Sequence, residues 1–136
     1  MVLSKDSLKI EKEQDVVLFR NRVKELATKI GMSVLGQTKL ITAASELARN
    51  MLKYAGGGTV ALEVVSGNRT TGVRLTFEDK GPGIADIGLA MQDGYSTTKS
   101  LGLGLPGAKR LVNEFDIKSK VGEGTTVTIT RWKNAV

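Results

Sequence analysis

With 136 residues, 40% of them hydrophobic and 25% charged, the chain is about one domain long, can bury a core and a small-molecule cleft, and is neither disordered nor collagen-like. It contains no cysteine and no histidine, which excludes disulfides, thiolate nucleophiles, Fe–S and cysteine zinc sites, Ser-His-Asp triads and a phosphohistidine of its own. The net charge of +6 suggests an anionic ligand or acidic partner, but the cations are scattered from Lys5 to Lys133 and only 4% of residues are aromatic, too few for a base-stacking platform, so no nucleic-acid partner is expected.

Leu8 and Ile10 alternate with Lys9 and Glu11, which predicts a short first strand. From Asp15, the residues Val16, Phe19, Val23, Leu26 and Ile30 recur at helical spacing, with Gly31 as the stop. A second helical face follows in Leu40, Ile41, Ala44, Leu47, Ala48, Met51 and Leu52, and it ends at Gly56-Gly57-Gly58. The period then changes to two. Val60, Leu62 and Val64 form one strand and Val73, Leu75 and Phe77 the next, joined as a hairpin through Ser66-Gly67-Asn68. Beyond the break at Gly81-Pro82-Gly83, a short helix is predicted near Asp86–Met91 and a loop that orders on binding over 93–105. Pro106 suits the first turn of a helix running to about Glu114. Strands near Asp116–Lys120 and Thr125–Trp132 flank the turn Gly122-Glu123-Gly124. This order implies one α+β domain over 1–136, a two-layer sandwich in which helices cover one face of a mixed sheet. No stretch approaches about 18 apolar residues and the start lacks the apolar core of a signal peptide, so a cytoplasmic protein without membrane contact is expected.

Four short patterns could carry chemistry. Glu46 and Asn50 lie four apart on the second helix and so point the same way. They are either a solvated helix edge or a carboxylate able to take a proton from an attacking hydroxyl beside an amide oxygen able to ligate Mg²⁺. Arg49 between them can meet a phosphate or pair with a neighbouring acid. Asp79 shares the parity of Val73, Leu75 and Phe77 and therefore faces the buried side, where its carboxylate needs donors. Turn amides could supply them, or the exocyclic amine of a base such as adenine, with Gly81 and Gly83 allowing close approach of the backbone.

Gly102-Leu103-Gly104-Leu105-Pro106-Gly107 matches the dinucleotide fingerprint in spelling, but polar residues precede it where a strand is required, and that reading is rejected. A Walker phosphate loop is also excluded. A glycine-rich segment entering a helix is either a connector or a set of backbone amides for an anion. Gly122-Glu123-Gly124-Thr125 alone is an ordinary hairpin turn.

Taken in order, Glu46-x-x-x-Asn50, Asp79-x-Gly81-x-Gly83, Gly102-x-Gly104-x-x-Gly107 and Gly122-x-Gly124-Thr125 resemble the asparagine box and the three glycine boxes of the GHKL ATPase superfamily. Tyr95-Ser96-Thr97-Thr98-Lys99 resembles its lid, with tyrosine where many relatives carry phenylalanine. The segments Ser45–Asn50, Asp93–Thr97 and Gly104–Gly107 are most similar to the bacterial serine/threonine kinases of partner-switching systems, the stressosome switch kinases and anti-sigma factor kinases.

The resemblance implies an ATP-binding fold of the Bergerat type and Mg²⁺-ATP as cofactor. It implies Asp79 on the adenine amine with Thr125 assisting, Asn50 on the metal, and amides near Gly102, Leu103, Gly104, Leu105 and Gly107 around the phosphates. Ser96, Thr97 and Lys99 would be lid contacts, and Glu46 would orient or deprotonate the acceptor hydroxyl. By the same likeness the substrate is a STAS-domain antagonist, and a PP2C-type phosphatase is the partner activated after release. The alternatives are an anti-sigma factor that captures a sigma factor and phosphorylates its antagonist, and a nucleotide-gated binding module without phosphotransfer.

Overall fold

Alternating and helical hydrophobic periods become five strands and three helices in the computed structural model, which describes residues 1–67, 69–84, 91 and 104–135. In chain order these are β1 (Val2–Ile10), α1 (Glu13–Lys29), α2 (Val34–Ala55), β2 (Gly58–Gly67), β3 (Thr70–Asp79), α3 (Gly104–Arg110), β4 (Glu114–Lys120) and β5 (Gly124–Trp132). All of the expected helix near Asp86–Met91 except Met91, and most of the loop over 93–105, lie outside the described residues, as does Asn68 of the first hairpin turn.

The helices begin and end where their orphan backbone groups find partners. The Asp15 carboxylate accepts from the backbone N–H groups of Glu11 (2.9 Å) and Lys12 (3.1 Å) at the start of α1. Helix α2 begins earlier than its apolar face suggests, because the Ser33 hydroxyl caps it by accepting from the Gly36 N–H at 3.0 Å. Gly56, with φ of 75°, closes the helix in the left-handed conformation.

The strand order is β1-β2-β3-β5-β4, and every pairing among these strands is antiparallel. The α+β two-layer architecture is as the sequence implies, but the expected mixed sheet is corrected. Strands β3 and β4 flank the crossover through α3 and run parallel, yet β5 inserts between them, so they never pair. Strand β1 is also longer than its alternation indicates. It pairs with β2 from Val2 to Ile10, and as an exposed edge strand it carries too few buried residues to show a period.

The helices cover one face of the sheet. Val16, Phe19 and Val23 of α1 and Leu40, Ala44 and Leu47 of α2 are buried against Leu62, Leu75, Phe77 and Ile129. The rings of Phe19 and Phe77 meet edge to face at 5.6 Å. The opposite face is polar. Arg74 makes paired hydrogen bonds to Glu63 at 3.1 and 3.3 Å there, and the bond to Glu63 raises its pKa above the ordinary arginine value.

Helix α3 differs from expectation at both ends. It starts at Gly104 rather than Pro106 and stops at Arg110 rather than near Glu114. The Leu111 N–H reaches back only three residues, to the Ala108 carbonyl, and the Asn113 N–H already donates to Thr130 O at 2.9 Å. Pairing with β5 therefore takes the chain before a further helical turn can form.

Candidate functional site

The last residues of β3 and the first of β5 carry one end of the site. Asp79 and Thr125 are register partners. Oδ1 of Asp79 accepts from the Gly81 N–H at 2.9 Å and from the Thr125 N–H at 3.3 Å. Its Oδ2 has no hydrogen bond to any described residue. The turn reading of this aspartate is therefore seen directly. One oxygen satisfies the turn, and the other accepts from none of the described residues.

Three glycines set the backbone around it. A Cβ at Gly124, where φ is 100°, would collide with the carbonyl oxygen of Asp79. A Cβ at Gly81 would lie 2.9 Å from Cα of Ala55, so the end of α2 rests directly on the Asp79–Gly81 turn. Gly83, with φ of 76°, packs on the Lys120 carbonyl, and the Gly122 N–H donates to Pro82 O at 2.9 Å.

Ser119 completes the lacing and was not singled out in the sequence. Its hydroxyl accepts from the Ile84 N–H at 2.7 Å and lies 2.7 Å from Oγ1 of Thr125 and 3.1 Å from the Gly124 carbonyl. The legible signal was a polar residue continuing the inward parity of Phe115 and Ile117 at the end of β4.

Glu46 and Asn50 stand half-buried on the flank of α2, while Arg49 between them is exposed. No described residue hydrogen-bonds the side chains of these three. Met51 and Ala55 contact Gly58 and Gly81, so the turns that carry Asn50 end against the Asp79 segment. Helix α3 packs along α2 with Pro106, Gly107 and Ala108 buried, bringing Gly104, Leu105 and Gly107 beside the helix that carries Glu46 and Asn50. Gly104 takes a φ of 40° at the entry to the helix. Ser96, Thr97, Lys99, Gly102 and Leu103 lie outside the described residues.

A groove of about 310 Å³ also opens beside Asp79, with Glu78, Lys118 and Thr126 among its lining residues. Those three alternate with the inward residues of their strands, so the groove belongs mainly to the polar face and not to the cleft between helices and sheet. Among the described residues no three carboxylates converge as a metal cage. A single neutral amide such as Asn50 suits Mg²⁺, which keeps waters and takes its other ligands from substrate phosphates.

Comparison with known proteins gives this arrangement its class. Residues 36–135 match the family described as histidine kinase-, DNA gyrase B- and HSP90-like ATPases. The chain is 42% identical over 125 residues to the serine/threonine-protein kinase RsbT of Bacillus subtilis, covering 92% of this chain and 94% of that one. It is 32% identical over 101 residues to the anti-sigma F factor of Anoxybacillus flavithermus, covering 69% and 68%. Among solved structures, the RsbU and RsbW domains of a Mycobacterium tuberculosis protein align with a TM-score of 0.67 at 21% identity; they cover 95% of this chain, which spans only 32% of that one. A mycobacterial sensor histidine kinase aligns at 0.57 and 18% identity, covering 95% and 97%. Both share the fold. The chain belongs to the histidine kinase, gyrase B and HSP90-like ATPase family, and within it is an ATP-using serine/threonine-protein kinase of the partner-switching type.

Proposed function

We propose that the chain transfers the γ-phosphate of Mg²⁺-ATP to a serine or threonine of a small STAS-domain antagonist and, once released from it, activates a PP2C-type phosphatase in the cytoplasm. The observation that carries the site is the divided Asp79 carboxylate: Oδ1 is held by two backbone amides, and Oδ2 is left for the adenine amine. Thr125, already fixed to Ser119, would assist on the same edge of the base.

In this reading Asn50 holds the metal, and Arg49 meets a phosphate from the exposed side of α2. Backbone amides of Gly102, Leu103, Gly104, Leu105 and Gly107 would receive the phosphates, with Ser96, Thr97 and Lys99 as lid contacts. When bound, Mg²⁺ neutralises charge on the phosphates. Glu46 orients the acceptor hydroxyl and takes its proton as the new O–P bond forms and ADP leaves. Phosphoryl transfer asks little covalent chemistry of the protein, and positioning with charge stabilisation suffices. Among the described residues no helix is long and apolar enough to cross a membrane.

The test is transfer of labelled phosphate to the STAS-domain protein encoded beside this chain, with Glu46→Gln as control. Transfer that disappears in the variant is the expected result. ATP binding and a stable complex without transfer would remove the kinase–antagonist assignment. The similarity to anti-sigma F factors favours one second reading, capture of a sigma factor, and a pull-down against sigma factors decides it.

A further inference from the structure

Arg131 occupies an unusual place for a cation. It lies in β5 with the inward parity of Val127 and Ile129 and is only 3% exposed. Nη1 donates to the Leu111 carbonyl at 3.1 Å, and Nε has no partner among the described residues. No carboxylate among the described residues pairs with it. Burial lowers its pKa below the ordinary arginine value. A buried charge without a counter-ion is costly, and an apolar side chain of similar length would serve packing better.

The guanidinium meets the carbonyl of the residue that follows α3, where the helix presents its partial negative charge. A seven-residue helix is too short to hold itself in register, so its placement depends on tertiary anchors. Those anchors come from the end of one strand. Besides Arg131, Thr130 O accepts from the Asn113 N–H at 2.9 Å, and the Trp132 N–H donates to Oδ1 of Asn113 at 2.8 Å. Towards the other end of β5, about 20 Å from Arg131 at roughly 3.3 Å per residue, lies the Thr125 N–H that binds Asp79. A single strand thus ties the adenine aspartate to the helix that follows the phosphate loop.

We propose that Arg131 is a positioning residue for the nucleotide phosphates: through Leu111 it fixes the C-terminal end of α3, and so sets where Gly104 and Gly107 stand relative to α2. This rests on the assignment of Asp79 to adenine and of the Gly104–Gly107 segment to phosphates.

The test compares Arg131→Met and Arg131→Lys with the parent chain for thermal unfolding, binding of ATP and of adenosine, and phosphotransfer. In Arg131→Met the folded state persists, ATP binding weakens about tenfold, within the usual range of coupling between sites, and adenosine binding is unchanged. Arg131→Lys, which keeps a donor and a charge, recovers part of the ATP affinity. Unchanged ATP affinity in Arg131→Met overturns the proposal. So does an equal loss of ATP and adenosine together with the melting temperature, because that marks a purely structural role. If Arg131→Met fails to fold, Asn113→Ala cuts the neighbouring anchor from an exposed side chain and decides by the same ATP-to-adenosine contrast. Failure of the underlying site reading looks different: Asp79→Asn would then bind adenosine as tightly as the parent.

Discussion

The Asp79 carboxylate accepts the Thr125 backbone N–H across the β3–β5 pair at 3.3 Å, with the same oxygen that holds the Gly81 N–H. An asparagine at this position keeps an acceptor oxygen for both amides and loses the charge facing the open side. Asp79→Asn should therefore unfold within about 1 kcal/mol of the parent while losing about 10- to 100-fold in ATP affinity, the usual worth of a hydrogen bond to a charged group. Calorimetric titration and urea unfolding check the two halves separately. A variant that loses stability and binding in proportion would show that Asp79 serves the turn alone.

The contrast between Gly122 and Gly124 tests how the turn holds that aspartate. Both have positive φ, of 80° and 100°. A Cβ at Gly122 would meet nothing within 4 Å, whereas at Gly124 it strikes the Asp79 carbonyl. Gly122→Ala should cost about 1 kcal/mol of backbone strain only. Gly124→Ala adds the displacement of Asp79, for about 2–4 kcal/mol in all, and should weaken nucleotide binding as well. Urea unfolding of the two variants, read by the fluorescence of the single Trp132, gives the comparison.

Much of this fold is legible in the sequence. The helical face from Val16 to Ile30 and the alternation from Val60 to Phe77 each report burial against a partner layer, and burial is what writes a period into a sequence. The glycines around the Asp79 turn are legible because close approach and positive φ admit few residue types. At Gly57, Gly83 and Gly124 a positive φ coincides with a carbonyl oxygen where a Cβ would stand. Strand order was not legible, since nothing in β4 or β5 taken alone says that β5 enters between β3 and β4. The early end of α3 was hidden for a related reason. Leu111 and Val112 continue a helical pattern, and only the pairing of Asn113 with Thr130 ends it. Arg131 was invisible as a core residue because a cation next to a strand terminus reads as surface.

On the polar face, the Glu63–Arg74 pair gives an asymmetric expectation. The Glu63 side chain is only 10% exposed and that of Arg74 37%, so removing the cation strands the more buried partner. Arg74→Met should cost about 2 kcal/mol, between the values usual for exposed and fully buried pairs, and more than Glu63→Gln. The pH range follows from the sign of the shift. Because the bond to Glu63 raises the Arg74 pKa, the contribution of the charged guanidinium is fully present below the ordinary arginine value and is lost only at still higher pH. Denaturation curves of the parent and Arg74→Met should therefore keep a constant separation between neutral pH and mildly alkaline pH. A gap that closes across that interval would place the stabilisation elsewhere.

Glu46 and Asn50 share a helix face and a half-buried setting, yet their assigned roles separate cleanly in kinetics. Glu46→Gln keeps the size and hydrogen-bonding capacity of the side chain and removes its basicity, so kcat should fall about 10²- to 10⁴-fold with ATP affinity little changed. Asn50→Ala removes the proposed metal ligand. Its defect should appear as a higher Mg²⁺ concentration for half-maximal transfer, partly relieved by excess metal, a relief that Glu46→Gln cannot show. Chelation with EDTA should abolish transfer in the parent chain and both variants. If excess Mg²⁺ rescued Glu46→Gln instead, the carboxylate would be acting on the metal, and the base would have to be sought elsewhere.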